Sequence, residues 1–190
     1  MALHSKKESS CENDSSSLEI SKNGHNFQPM RIPWHVGLSS TRGGFIFCGG
    51  SLISLNLILT AAHCIDRWPT VNFASAGHLN RKYREYRQEE SHQVRHIQYE
   101  KFKHPLFKST TLSYDLAILK TDHPFEQTSY VRPACLPMRN LVLPRFSKCI
   151  VAGFGQKKDE SSPDKLGAAV LRNYPRRNCN RQLASKRSGL

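Results

Sequence analysis

A chain of 190 residues is long enough to bury a substantial core, either as one ordinary domain or as two small ones. Its 38% hydrophobic and 23% charged residues match globular proteins, which excludes a disordered or fibrous chain, and no apolar run is long enough to cross a bilayer as a helix. The 28 Lys and Arg against 15 Asp and Glu leave a formal charge of +13, which favours acidic partners but does not select among sulfated glycans, nucleic acid and an anionic membrane face.

Residues 1–22 open with MALHSKKESSCENDSSS, a polar stretch expected to be a flexible leader that adds little to a core. It has charge and serine but not the apolar run of a secretory signal peptide. Folding is expected to begin near Pro33. From there to Ile150, short apolar runs alternate with turn signals: HVGL, FIFCGGSLIS, LNLILT, VNFASAG, VRHIQY, DLAILK and CIVAGFG. These run lengths, with no sustained 3.6-residue period and no internal repeat, predict an all-β barrel or sandwich. Arg81 to Lys103 mixes both charge signs with aromatic residues and is expected to be a solvated hairpin with one apolar face rather than an anion site. The tail from Gln156 to Leu190 carries nine Lys or Arg against Asp159, Glu160 and Asp164. It reads as a solvated end. The aromatic interleaving of single-strand nucleic-acid platforms is missing, so no specific nucleic-acid partner is expected, and no membrane partner either.

Six cysteines, Cys11, Cys48, Cys64, Cys135, Cys149 and Cys179, are widely spread, and none forms a CxxC pair. That spacing argues against a metal site and for disulfides formed in an oxidising compartment, although the amino terminus carries no export signal. His63 follows the apolar strand LILT and two alanines, at what reads as a strand end. A histidine beside a cysteine is, on residue type alone, usually structural. Asp115 lies in SYDLAILK, where alternation puts Asp115, Ala117 and Leu119 on one strand face and Leu116, Ile118 and Lys120 on the other. A carboxylate opening an apolar strand is costly to bury unless it is hydrogen-bonded, and a histidine N–H would serve. An aspartate that fixes an imidazole's tautomer and stabilises its protonated form is half of the Ser-His-Asp mechanism.

The chain resembles the trypsin/chymotrypsin family of serine endopeptidases. The matching stretches are PWHVGL, FCGGSLIS, LTAAHC, KHPLF, DLAILK, VRPACLP and CIVAGFG, in the family's order and at similar spacings, over roughly Asn23 to Asn180. The resemblance implies two six-stranded barrels with a cleft between them: a complete first barrel at about 33–125 and a partial second at about 135–190, together an incomplete peptidase domain over 23–190. It implies His63 as the catalytic base and Asp115 as its orienting carboxylate. It also implies a Cys48–Cys64 disulfide, a Cys11–Cys135 link from leader to peptidase domain, protein or peptide substrates or a protease inhibitor as partners, extracellular location, and no cofactor. Cys149 and Cys179 align with family cysteines whose usual partners lie further downstream.

Departures from the family pattern are as informative. The family's nucleophile lies in a Gly-Asp-Ser-Gly-Gly run whose backbone N–H groups build the oxyanion hole, and these 190 residues contain no such run. Ser161, Ser162, Ser185 and Ser188 have polar, basic surroundings without flanking glycines and are poor substitutes. The stretch aligned with the family's activation site, SKNG at 21–24, has no Arg or Lys immediately before it. The loop after Gly77 begins His78-Leu79-Asn80, where family calcium sites have a carboxylate, so no metal is expected. The expected function is thus serine-type endopeptidase by family, with this chain an inactive truncated form. The alternatives are a non-catalytic protease homologue acting as a binding or regulatory protein, and a basic module that binds polyanions such as a sulfated glycan.

Overall fold

The computed structural model describes residues 32–67, 70–77, 92–154 and 166–173, together with Pro175 and Asn178. The turn at Pro33-Trp34, closed by His35 N–H donating to Ile32 O at 3.1 Å, starts the first strand. Strands β1 (His35–Ser39), β2 (Cys48–Ser54), β3 (Leu57–Thr60), β4 (Phe73–Ala76), β5 (Gln93–Lys103) and β6 (Ala117–Thr121) close into a barrel of order β1-β2-β3-β6-β5-β4. All its neighbouring pairs are antiparallel. Closure pairs every strand on both sides, so the barrel has no free edge.

The period-two pattern read from the sequence is what fills the interior. In β6, Ala117, Leu119 and Thr121 are buried while Ile118 and Lys120 are partly exposed. Leu119 and Ala117 join Val36, Leu38, Leu52, Ile58, Ala74, Ala76 and Ile97 in one apolar cluster. Phe125 and Val131 belong to the same cluster, so the segment after β6 helps to plug the barrel. That segment is held by Phe125 N–H to Leu55 O (2.7 Å), Arg132 N–H to Pro33 O (3.0 Å) and Ala134 N–H to Leu52 O (2.8 Å). The buried hydroxyl of Thr60 donates to Gly49 O at 2.7 Å, which removes the cost of placing it inside.

One local feature differs from the sequence expectation. After LILT the chain does not simply end a strand: Ala62–Arg67 forms the short helix α1. Six residues are too few to print a 3.6-residue period on the sequence, and Ala61 and Ala62 carry no β-branch to oppose a helical start. The part of the expected hairpin that the structure describes is one long strand of barrel wall, in which β5 pairs with β4 along its first half and with β6 along its second. Residues 81–91 of that expected hairpin lie outside the described residues.

Beyond the barrel, β7 (Lys148–Gly153) and β8 (Gly167–Arg172) form a two-stranded antiparallel ribbon registered from Lys148↔Arg172 to Gly153↔Gly167. Val151, Val170 and Leu171 on it are exposed. The ribbon meets the barrel through the buried trio Ile46, Phe154 and Leu166, and through His35, whose ring lies edge-on to Phe154 at 5.9 Å.

Burial of His35 at that junction pushes its pKa down to about 4 from 6.5. An unfolded chain takes up this proton below about pH 6.5, whereas the folded chain resists it until about pH 4. Stability is therefore intact above 6.5 and falls through that window, by on the order of 3 kcal/mol in all. Urea unfolding at several pH values should show this loss in the natural chain and a flatter slope for His35→Gln; parallel slopes would refute it. Limited proteolysis should cut within 140–190 before any barrel strand, because an open ribbon opens more readily than a closed wall; equal resistance of the two parts would count against that order.

Candidate active site

The barrel register brings the site together. β3 and β6 run antiparallel with Thr60 opposite Ala117, so the chain leaving β3 and the chain entering β6 meet at one end of the barrel. Three residues beyond Thr60 stands His63; two residues before Ala117 stands Asp115. Asp115 Oδ2 accepts from His63 Nδ1–H at 2.7 Å, and Oδ1 accepts from the His63 backbone N–H at 2.8 Å. The Ala62 backbone N–H also binds this carboxylate. The first turn of α1 contains no acid of its own, so Asp115 supplies from 52 residues away the negative charge that free N–H groups at a helix start favour.

Each partner is fixed from a second side. Asp66 of α1 accepts from Lys103 Nζ of β5 at 2.8 Å, and Cys64 is bonded to Cys48 at the start of β2, with Cα atoms 6.2 Å apart. Closing a 16-residue span in this way disfavours the unfolded chain by about 3 kcal/mol. Before Asp115, Tyr114 has φ 56°, a left-handed conformation, and its ring stacks on His104 at 4.9 Å and 11°. Nothing in the strand pattern points to this pair, which only the fold brings together. His104 stands in the quoted KHPLF stretch and Tyr114 directly precedes Asp115, so aromatic character beside the carboxylate was the available signal.

The side chains of His63 and Asp115 are 35% and 23% exposed, so the pair sits at the surface of the barrel mouth rather than in its core. Partial burial raises the Asp115 pKa, but the hydrogen bonds from the His63 ring and backbone, the charge of His63 and the Ala62 N–H outweigh it and hold the carboxyl below its ordinary value. With Nδ1–H committed to Asp115, the neutral form of the ring has its lone pair on Nε2. The heavy atom beside it is Cys64 Sγ at 3.6 Å; among the described residues no serine or threonine hydroxyl is bonded to Nε2. Ser161, Ser162, Ser185 and Ser188 lie outside the described residues, as does the 78–80 loop considered for calcium.

The other cysteines divide as follows. Cys135 is disulfide-bonded, while Cys11, its expected partner, lies outside the described residues. Cys149 on β7 is a free, half-buried thiol, and Cys179 lies outside the described residues. Cys48, His63 and Cys64 bring three potential ligand atoms within 4.8 Å of one another, but in the bonded form the two sulfurs are joined to each other.

The sequence pattern of the family described as Trypsin matches residues 21–188. Among curated proteins the chain is similar to transmembrane protease serine 9 of Rattus norvegicus, 32% identical over 149 residues, which is 75% of this chain and 13% of the relative. It thus spans about an eighth of that relative's length. Among solved structures it is similar to one described as GrC, with TM-score 0.72 and 28% identity, covering 86% of this chain and 70% of the other.

Because the folded Asp115 is the stronger acid, its contribution to stability is present above the ordinary carboxylate pKa near 3.8 and is lost as pH falls through its lower folded value. Asp115→Asn should remove that acid limb below about pH 4 and loosen the start of α1, read as faster amide exchange at Ala62 and His63. Unchanged exchange there would mean that the carboxylate does not hold the helix.

Proposed function

The chain belongs to the trypsin family, and from that membership we propose that it carries the base half of a serine-endopeptidase site. The observation that carries this reading is the double contact of Asp115 with His63, to the ring at Nδ1 and to the backbone N–H, at 2.7 and 2.8 Å. It selects the tautomer of the neutral ring in which the lone pair lies on Nε2, the nitrogen a general base would use. In this reading a serine hydroxyl attacks a peptide carbonyl while His63 takes its proton at Nε2. Asp115 stabilises the resulting imidazolium, and His63 then returns the proton to the leaving amine. Substrates are proteins or peptides, and protease inhibitors are natural partners of the same cleft. The Cys48–Cys64 disulfide is consistent with an extracellular setting.

The serine and oxyanion hole are supplied in this proposal by sequence outside these 190 residues, which contain no Gly-Asp-Ser-Gly-Gly run. The chain alone is then inactive. Purified chain should neither turn over peptide substrates nor label with a fluorophosphonate, and stoichiometric labelling would refute its inactivity. In a longer form bearing the serine segment, Asp115→Asn should lower kcat by about 10⁴-fold. Activity surviving that change would remove Asp115 from the mechanism.

A further inference from the structure

We propose that reduction of the Cys48–Cys64 bond converts this end of the barrel into a site for a soft divalent cation of the zinc class, held by Cys48 Sγ, Cys64 Sγ and His63 Nε2 and oriented by Asp115. The geometry points to it independently of any peptidase activity. The three ligand atoms already lie within 4.8 Å of one another. A tetrahedral centre with metal–sulfur near 2.3 Å and metal–nitrogen near 2.0–2.1 Å needs sulfur and nitrogen roughly 3.6 Å apart. Cys64 Sγ and His63 Nε2 stand at 3.6 Å. The two sulfurs must separate to roughly 3.8 Å and Cys48 Sγ, within 4.8 Å of Nε2, must settle at about 3.6 Å from it, adjustments that side-chain rotation between Cα atoms 6.2 Å apart can provide.

The second observation is Asp115. A metal-binding histidine usually donates its other ring N–H to a carboxylate, which fixes the tautomer and aims the remaining lone pair at the cation. Asp115 does this here, with Nδ1 at 2.7 Å. Two thiolates balance a dication, so the centre is neutral although Cys64 is only 3% exposed. His63 is 35% exposed on its side chain, which leaves a solvent-facing position for a fourth ligand such as water. Two thiolates and an imidazole suit zinc and its borderline-soft relatives rather than calcium or magnesium.

The chemistry balances with a dithiol as reductant. Two electrons pass from the dithiol to the Cys48–Cys64 bond, which breaks; the dithiol closes to its own disulfide, and its two protons end on Cys48 and Cys64. The cation then displaces both protons to solvent. The consequence is exclusive use of one nitrogen: with a cation on Nε2, His63 cannot accept a proton there.

The test is cobalt titration of the full chain under anaerobic conditions, oxidised and phosphine-reduced. The reduced chain should take one equivalent of Co²⁺ with an intense thiolate-to-metal absorption, bleached by Zn²⁺, and the oxidised chain should show none. Cys48→Ser and His63→Ala should each weaken binding at least tenfold, and Asp115→Ala about tenfold; Cys149→Ser, which changes a thiol outside the site, should leave affinity unchanged. Loss of the band in Cys149→Ser, or its persistence at full affinity in Cys48→Ser, would assign the metal to other cysteines and overturn the proposal. If reduction unfolds the chain, circular dichroism decides: recovery of the barrel spectrum with one equivalent of Zn²⁺ supports the site, and continued unfolding overturns it. Because every readout is metal binding or metal-dependent folding and none is peptidase activity, failure here is distinct from failure of the peptidase reading.

Discussion

The contact between Asp115 and His63 is the constraint on which the site depends, and it follows from strand pairing. Once Thr60 is opposite Ala117, the residues just beyond β3 and just before β6 are forced to one end of the barrel. A one-residue slip in that pairing would turn Ala117, Leu119 and Thr121 outward and carry Asp115 away from α1. The hydrophobic interior therefore selects the register, and the register delivers the carboxylate. Asp115 in turn satisfies backbone N–H groups at the start of α1 as well as the ring. The same group thus shapes the helix that presents His63 and fixes the tautomer of its ring.

Around that contact the restraints come from different directions. The disulfide ties α1 to β2, the Lys103–Asp66 pair ties it to β5, and the stacked His104 and Tyr114 support the approach to Asp115. Their worth is unequal. The Lys103–Asp66 pair is 43% and 35% exposed and contributes at most about 1 kcal/mol, while the covalent bond acts on the unfolded chain whatever the salt. Placement of His63 thus rests mainly on Asp115 and Cys64.

Much of this was legible in the sequence, for physical reasons that can be named. Burial alternates residue by residue along β6 and β3 because one face of each strand lies in the barrel interior, and the apolar runs DLAILK and LILT supply the side chains for it. Helix α1 was not legible: its six residues span under two turns, and what fixes them comes from Asp115 and Cys48, both distant in sequence. The length of β5 was obscured because a strand shared between two neighbours at different registers shows no single alternation, and its shift falls between Ile97 and Lys101. The Cys48–Cys64 pairing came from family resemblance, since six spread cysteines leave many pairings open. The ligand trio was invisible for a related reason: spacing rules look for cysteines two to four apart, whereas Cys48 and Cys64 are brought together by the β1-β2-β3 wall and α1.

The barrel and the ribbon stand in different physical situations, and this bears on what the site can do. In the barrel every strand is paired with a neighbour on each side, so the helix that presents His63 is carried by a closed wall, plugged by Phe125 and Val131. The ribbon of β7 and β8 has a partner only within itself among the described residues and leaves Val151, Val170 and Leu171 exposed. It meets the barrel through Ile46, Phe154, Leu166 and the ring of His35. A cleft built between two such bodies is only as rigid as the weaker one, whereas chemistry confined to the barrel mouth, the imidazole with its carboxylate and the adjoining sulfurs, needs the first body alone. In the proposed peptidase reading, a nucleophile must also be brought to Nε2 from outside the barrel. Binding of a cation at the same nitrogen requires only that the Cys48–Cys64 bond open.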